Sequence, residues 1–192
     1  MILDDFASSQ LAHMCKLTKP EVLALRFYTT AGFRSINNPL RDVGRRERHE
    51  AHPFPIMVFL LHNGVKKLRT FAANSDTAMD KIDLFRGMSN VELEAGFMLN
   101  GGTELAPMST TSDLSVALRY SASRTMTSDH VLLRLITDSF YDRGPNVSFL
   151  SAFPNEAEYL FPPLTYLQPT GRTETVAACG MSYQVVDVKP RV

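Results

Sequence analysis

The chain has 192 residues, of which 44% are hydrophobic and 21% charged, and its 20 basic and 20 acidic side chains cancel to a formal net charge of zero. That length suits one domain with a full core over residues 1–192, and the composition is that of an ordinary globular protein. Balanced charge excludes a global electrostatic pull toward nucleic acid or an anionic membrane, and no run approaches the ~20 apolar residues of a transmembrane helix.

Met1 to Gln10 carries Asp4 and Asp5 but neither a basic head nor a long apolar run. It does not read as a secretory signal, so a cytoplasmic chain is expected. The two cysteines, Cys15 and Cys179, are too few for a disulfide scaffold; a single bridge between them stays open, and two buried thiols are the simpler expectation. Thr18-Lys19-Pro20-Glu21 is a capping box, and a helix from about Pro20 to Ala31 follows, with Leu23, Phe27 and Ala31 on one stripe and Gly32 as its stop. Asn38-Pro39 marks a turn or a new helix start. Arg41, Arg45, Arg46 and Arg48 suit a patch for an acidic partner, but a solvated face is the simpler reading. His49 and His52, three apart, lie among those arginines, which would repel a cation; no metal site is expected. After Pro53 and Pro55, the spacing of Met57, Leu61, Val65 and Leu68 predicts a helix, although Asn63-Gly64 is also a hairpin signal.

From Lys81 the pattern changes to short strands: Ile82 to Arg86, Glu104 to Met108, Val131 to Thr137, Glu158 to Phe161, Leu164 to Gln168, Thr173 to Ala178 and Tyr183 to Val188. Asp113 can cap a helix from Leu114 to Ser121 whose Val116, Leu118 and Tyr120 would face the sheets. Helices over residues 1–80, then strands over 81–192 with few helices between, predict an α+β fold with antiparallel or mixed sheets rather than a doubly wound one.

Three segments carry candidate chemistry. Leu84-Phe85-Arg86-Gly87-Met88 puts a permanently charged guanidinium and a glycine at the end of an apolar run. Ser109-Thr110-Thr111 is a hydroxyl cluster ahead of the Leu114 helix. Phe153-Pro154-Asn155-Glu156-Ala157-Glu158 sets two carboxylates two residues apart between apolar neighbours. If extended from Glu156, both carboxylates address one face, and like charges in a partly dry space disturb each other's titration. Taken singly, each segment has a plain alternative: a strand-end arginine, a turn glycine, a helix cap, a solvated strand edge.

In this order the three segments resemble the arginine–serine–glutamate class of mono-ADP-ribosyltransferases, with Thr111 where that family has serine. Tyr28-Thr29 and Asn37 to Arg41 look like the family's helical lead-in, so the resemblance covers the chain from about Thr18 onward. It implies two small, mostly antiparallel sheets packed around an NAD cleft, with the helical part on one side. It implies that Arg86, Gly87, Ser109, Thr110 and Thr111 hold NAD, with Ser109 also orienting Glu158. Tyr120 and Arg124 fall where the family places an aromatic and a second phosphate-binding residue, although a core tyrosine and a solvent arginine fit as well. Phe153, otherwise a loop anchor, becomes a contact for the acceptor, together with Glu156. NAD is then a substrate, not a hydride carrier: Gly101-Gly102 is a turn and no Gly-rich phosphate loop opens a helix. The activity implied is transfer of ADP-ribose to an arginine of a target protein, with Arg86, Ser109, Glu156 and Glu158 as the catalytic set. No metal, nucleic acid or membrane is called for, and a monomer is expected. A glycohydrolase using water as acceptor and a non-catalytic NAD-binding module are the alternatives.

Overall fold

The computed structural model describes residues 2–88, 93, 96–121, 130–178 and 180–192; Arg124 and Cys179 lie outside them. Six helices come first: α1 (Leu3–Ala7), α2 (Gln10–Met14), α3 (Lys19–Tyr28), α4 (Phe33–Arg41), α5 (Val43–Glu47) and α6 (Pro55–Ala72). Then follow β1 (Ile82–Met88), α7 (Phe97–Asn100), β2 (Gly102–Glu104), β3 (Met108–Thr111), α8 (Leu114–Ser121), β4 (His130–Thr137), a 3-10 turn (Pro154–Glu156), β5 (Glu158–Phe161), β6 (Thr165–Ala178) and β7 (Met181–Arg191).

The capping box forms as expected: the Thr18 backbone N–H donates to Glu21 Oε2 over 2.7 Å, and the Glu21 N–H to Thr18 Oγ1 over 3.4 Å. Lys67 of α6 donates to the same Glu21 carboxylate over 2.7 Å, clasping α3 to α6. The buried face of α3 is Val22, Ala24, Leu25 and Tyr28, not the stripe of Leu23 and Phe27, which are exposed. Leu25 explains Gly64. A Cβ on Gly64 would lie 2.9 Å from Leu25 Cδ1, so this glycine sits inside α6 to let two helices approach and not to turn a hairpin. Pro39 stands inside α4 near its C-terminal end, where it removes the hydrogen bond that residue 39 would have donated and crowds the carbonyl one turn back. The arginine run is largely neutralised: Arg45 and Arg48 both pair with Glu50, and Arg41 grips Glu104 with two hydrogen bonds of 2.9 and 2.8 Å.

The strands form one curled mixed sheet of order β2-β6-β7-β4-β1-β3-β5 rather than two separate sheets. Only β4 and β7 run parallel. The seam is thin: β1 meets β3 through the single pair Phe85↔Thr111, while β1 meets β4 along seven. Of the strand expected over Glu104–Met108 only the ends are strand: Glu104 closes β2, Met108 opens β3, and residues 105–107 are the gap between them. The two expected strands Leu164–Gln168 and Thr173–Ala178 are one strand, β6, interrupted by a bulge between Pro169 and Thr173.

Three apolar clusters hold the layers. The helices pack Leu25, Ile36, Leu61 and Val65 with Val147, Leu150 and Leu160. The inside of the curl holds Leu84, Met108, Leu133, Leu135, Phe161, Val186 and Val188. A third cluster places α8 over the sheet, with Ala117 against Leu132 and Val185. Of the expected face of α8, Val116 is buried, beside Ala117 and Ser121, and Leu118 packs partly buried on this cluster, but Tyr120 is 57% exposed and does not face the sheet core. Cys15 is buried, which raises its thiol pKa. No helix among the described residues is long and apolar enough to cross a membrane.

Candidate active site

The thin β1–β3 seam opens a cleft of about 410 Å3 between the sheet and the helical layer. Its walls include Arg86 and Gly87 of β1, Ser109 to Thr111 of β3, Tyr120 of α8, and Phe153, Glu156 and Glu158. The three segments singled out in the sequence therefore meet in one space. Arg124 falls outside the described residues.

Glu158, the first residue of β5, is 7% exposed. It lies opposite Thr111 in the β3–β5 ladder, diagonal to Ser109. Ser109 Oγ donates to Oε1 over 2.7 Å and Ser151 Oγ to Oε2 over 3.1 Å, so each carboxylate oxygen accepts one hydroxyl. Burial raises the Glu158 pKa; the two hydroxyls oppose that shift, and the nearby Glu156 adds to it.

Glu156 is not on the strand. It ends the 3-10 turn, and Ala157 follows in the left-handed region with φ 45° and ψ 52° before β5 begins. The two carboxylates therefore converge because a residue in a costly conformation swings the chain between them, and not through the alternation of an extended segment. Thr111 staples this turn: its hydroxyl donates to the Glu156 carbonyl over 2.6 Å and accepts from the Asp113 N–H over 2.9 Å. Tyr120 Oη donates to the Glu156 carboxylate, 3.1 Å from both oxygens. Burial and then the Glu156 charge raise the tyrosine pKa. Phe153 opens the turn and is 53% exposed.

Arg86 is a largely buried cation at the cleft, with a side chain 21% exposed. Its Nη1 donates to the Ser109 carbonyl over 2.8 Å, tying β1 to β3 beside their single paired position. Its Nη2 lies 4.0 Å from Glu104, the carboxylate that Arg41 also holds. Burial pulls the guanidinium pKa below its usual range. Gly87 has a packing duty that sequence reasoning did not foresee. A Cβ there would stand 2.0 Å from the Ala117 carbonyl oxygen and 2.7 Å from the Ser121 nitrogen, so the backbone of α8 rests directly on this residue. The Thr110 hydroxyl donates to the Tyr159 carbonyl over 3.1 Å. Of the three hydroxyls, the Ser109 one reaches the carboxylate.

The helical layer supplies cleft residues with no assigned part in the sequence reading: Tyr28, Arg34 and Asn37. Tyr28 Oη donates to the Pro107 carbonyl over 2.6 Å and accepts from Asn37 Nδ2 over 3.0 Å; burial drives its pKa to about 12. Ser151 was also missed. It has no motif of its own, and only the fold brings it to Glu158. Among the described residues no three His, Cys, Asp or Glu side chains gather as a metal site would need.

No curated protein sequence matches this chain. Among solved structures, Plx2a, an ADP-ribosyltransferase toxin from Paenibacillus larvae, superposes with a TM-score of 0.68 at 16% identity, covering 99% of this chain and 95% of its own. The Vis toxin, an ADP-ribosyltransferase from Vibrio splendidus, gives 0.63 at 21% identity over 97% of this chain and 82% of its own; Vis is also solved in complex with agmatine. A variant of the eukaryotic mono-ADP-ribosyltransferase ART2.2 in complex with NAD gives 0.63 at 15% identity over 98% and 82%. At these identities the likeness speaks for the fold. The family model for NAD:arginine ADP-ribosyltransferase matches residues 8–184, and the chain belongs to that family: it is an NAD-dependent ADP-ribosyltransferase.

Proposed function

We propose that the acceptor is an arginine side chain on a target protein and that the residues gathered in the cleft divide the work as follows. Arg86, with Arg34 at the wall, neutralises the pyrophosphate of NAD, since a guanidinium fork suits phosphate oxygens. The open backbone at Gly87 lies along the nicotinamide end. As the bond from ribose C1′ to the nicotinamide nitrogen breaks, nicotinamide leaves with the electron pair and positive charge develops on the ribose. Glu158, ionised and held by Ser109 and Ser151, faces that charge and the ribose 2′-OH. Glu156 sits nearer the exposed side with Tyr120 and Phe153; it orients the incoming guanidinium and takes its proton as the new C–N bond forms. That is a demanding task for a carboxylate, because free arginine stays charged.

The observation that carries this reading is the buried Glu158 with one hydroxyl on each carboxylate oxygen, beside a second carboxylate tied to a surface tyrosine. That the related fold of Vis is solved with agmatine, which carries a guanidinium, supports the choice of acceptor. The test is incubation with labelled NAD and either agmatine or a cell extract, with nicotinamide release and acceptor labelling measured together. Label on a guanidinium is expected. Nicotinamide release with no labelled acceptor would make the protein a glycohydrolase instead.

A further inference from the structure

A small cavity of about 110 Å3 lies behind β5, lined by Arg69, Ser75, Thr77, Arg143, Asn146 and Tyr159 with apolar neighbours. Tyr159 follows Glu158 on the strand, so its side chain points to the opposite face, and the cavity is separate from the cleft. Two arginines meet here with no carboxylate in the lining. Arg143 is 7% exposed, and its guanidinium donates to the carbonyls of Asp80 and, over 2.7 Å, Thr77. Arg69 donates from Nη2 to the Tyr141 carbonyl over 3.0 Å, while its buried Nε has no partner. Neither arginine has an ion-pair partner among the described residues. The nearby Asp142 carboxylate is turned away: it accepts the Asp138 N–H over 3.1 Å and stands 3.9 Å from Arg191.

Buried charge without a counter-charge is unfavourable, and carbonyl dipoles offset that cost only in part. Burial accordingly lowers the Arg69 pKa. The Ser75 hydroxyl donates to the Ala72 carbonyl over 2.8 Å and lies 3.2 Å from that of Thr77. We infer that this cavity is a binding site for a free inorganic oxyanion of phosphate size, held by Arg69 and Arg143 on the reverse side of the strand that carries Glu158. The volume admits such an ion and little more, which separates it from a nucleotide or a phosphorylated side chain. The bound ion would join α6, the Phe140–Asn146 loop and β5 through one charge.

The test is thermal unfolding of the full chain with increasing phosphate or sulfate, against sodium chloride at matched ionic strength. A rise that goes with the logarithm of ion concentration is expected, about 3–5 °C once the ion exceeds its dissociation constant tenfold. Arg69→Gln should remove that rise. Ala72, in the same lining, offers a second variant: Ala72→Val narrows the cavity and leaves both arginines, so it should reduce the rise and serves if Arg69→Gln does not fold. A rise that is linear in salt concentration, or one that is equal in the wild type and the variants, is general salt exclusion and overturns the assignment. So does the absence of any rise above the chloride control.

Discussion

Ser109 and Glu158 are diagonal partners across the β3–β5 ladder, and the serine hydroxyl donates to the carboxylate over 2.7 Å. That bond favours the ionised form, yet burial outweighs it and the Glu158 pKa stands above its ordinary 4.5. If ionised Glu158 is the active form, kcat/KM should fall on acidification with a midpoint above the ordinary glutamate value. Ser109→Ala should move that midpoint higher still and lower kcat/KM at neutral pH by about tenfold to a hundredfold. A pH–rate profile on both proteins decides it, and an unmoved acid limb in Ser109→Ala would mean that the hydroxyl does not support the charge.

The same shift has a stability signature. A carboxyl whose folded pKa is raised stabilises the fold while protonated, below its unfolded value, and loses that contribution as pH rises through the folded value. Wild type should therefore lose stability relative to Glu158→Gln across the window above pH 4.5, and the Tm gap between them should widen with pH in that window. Unfolding scans from acid to neutral pH measure it; a gap constant with pH would contradict the raised pKa.

Gly87→Ala tests the packing duty of the glycine. The new methyl would meet the Ala117 carbonyl at 2.0 Å, and a helix backbone cannot yield as a flexible side chain can. A loss of about 3 kcal/mol is expected, or roughly 6–12 °C in Tm, together with weaker NAD binding as α8 shifts with Tyr120. A variant with wild-type Tm but poor NAD binding would instead assign Gly87 to the ligand alone.

Much of this was legible in the residues. The capping box at Thr18, the helix Leu114–Ser121 and the strand Glu158–Phe161 announce themselves by local chemistry, and the three motifs meet in one cleft. What stayed hidden depends on contacts between distant segments. Asn63-Gly64 leaves a hairpin signal inside the expected helix until Leu25 is seen against Gly64, and the backbone of α8 on Gly87 has no local sign. Ser151 reaches Glu158 only after β5 has folded back past the Asn146 bridge. Whether the Glu-Ala-Glu run is extended cannot be told from its residues, because nothing in alanine signals a left-handed φ, a conformation more often given to glycine.

Arg86 carries more of the fold than a strand-end arginine would. Its bond to the Ser109 carbonyl bridges β1 and β3 where they share one ladder pair. Arg86→Ala should therefore weaken NAD binding by about tenfold or more and also lower Tm, by roughly 3–12 °C for the loss of a charged hydrogen bond. Calorimetric NAD titration and unfolding of the same preparation separate the two effects. Unchanged NAD affinity in a folded variant would remove Arg86 from the site.

The two glutamates should separate by role, because their surroundings differ. Glu158 is buried between two serines, whereas Glu156 is half-buried and accepts from a tyrosine that is 57% exposed. Glu158→Gln removes the charge facing the ribose, so acceptor modification and NAD hydrolysis should both collapse. Glu156→Gln leaves that charge and should abolish arginine modification while sparing much of the slow hydrolysis by water. Tyr120→Phe removes the hydroxyl that orients Glu156 and should lower modification by about tenfold, the scale of one hydrogen bond to a charged group, with hydrolysis unchanged. Nicotinamide release and acceptor labelling on the three variants measure this. Should Glu156→Gln lose hydrolysis as fully as Glu158→Gln, the carboxylates act as one coupled pair and the division of labour fails.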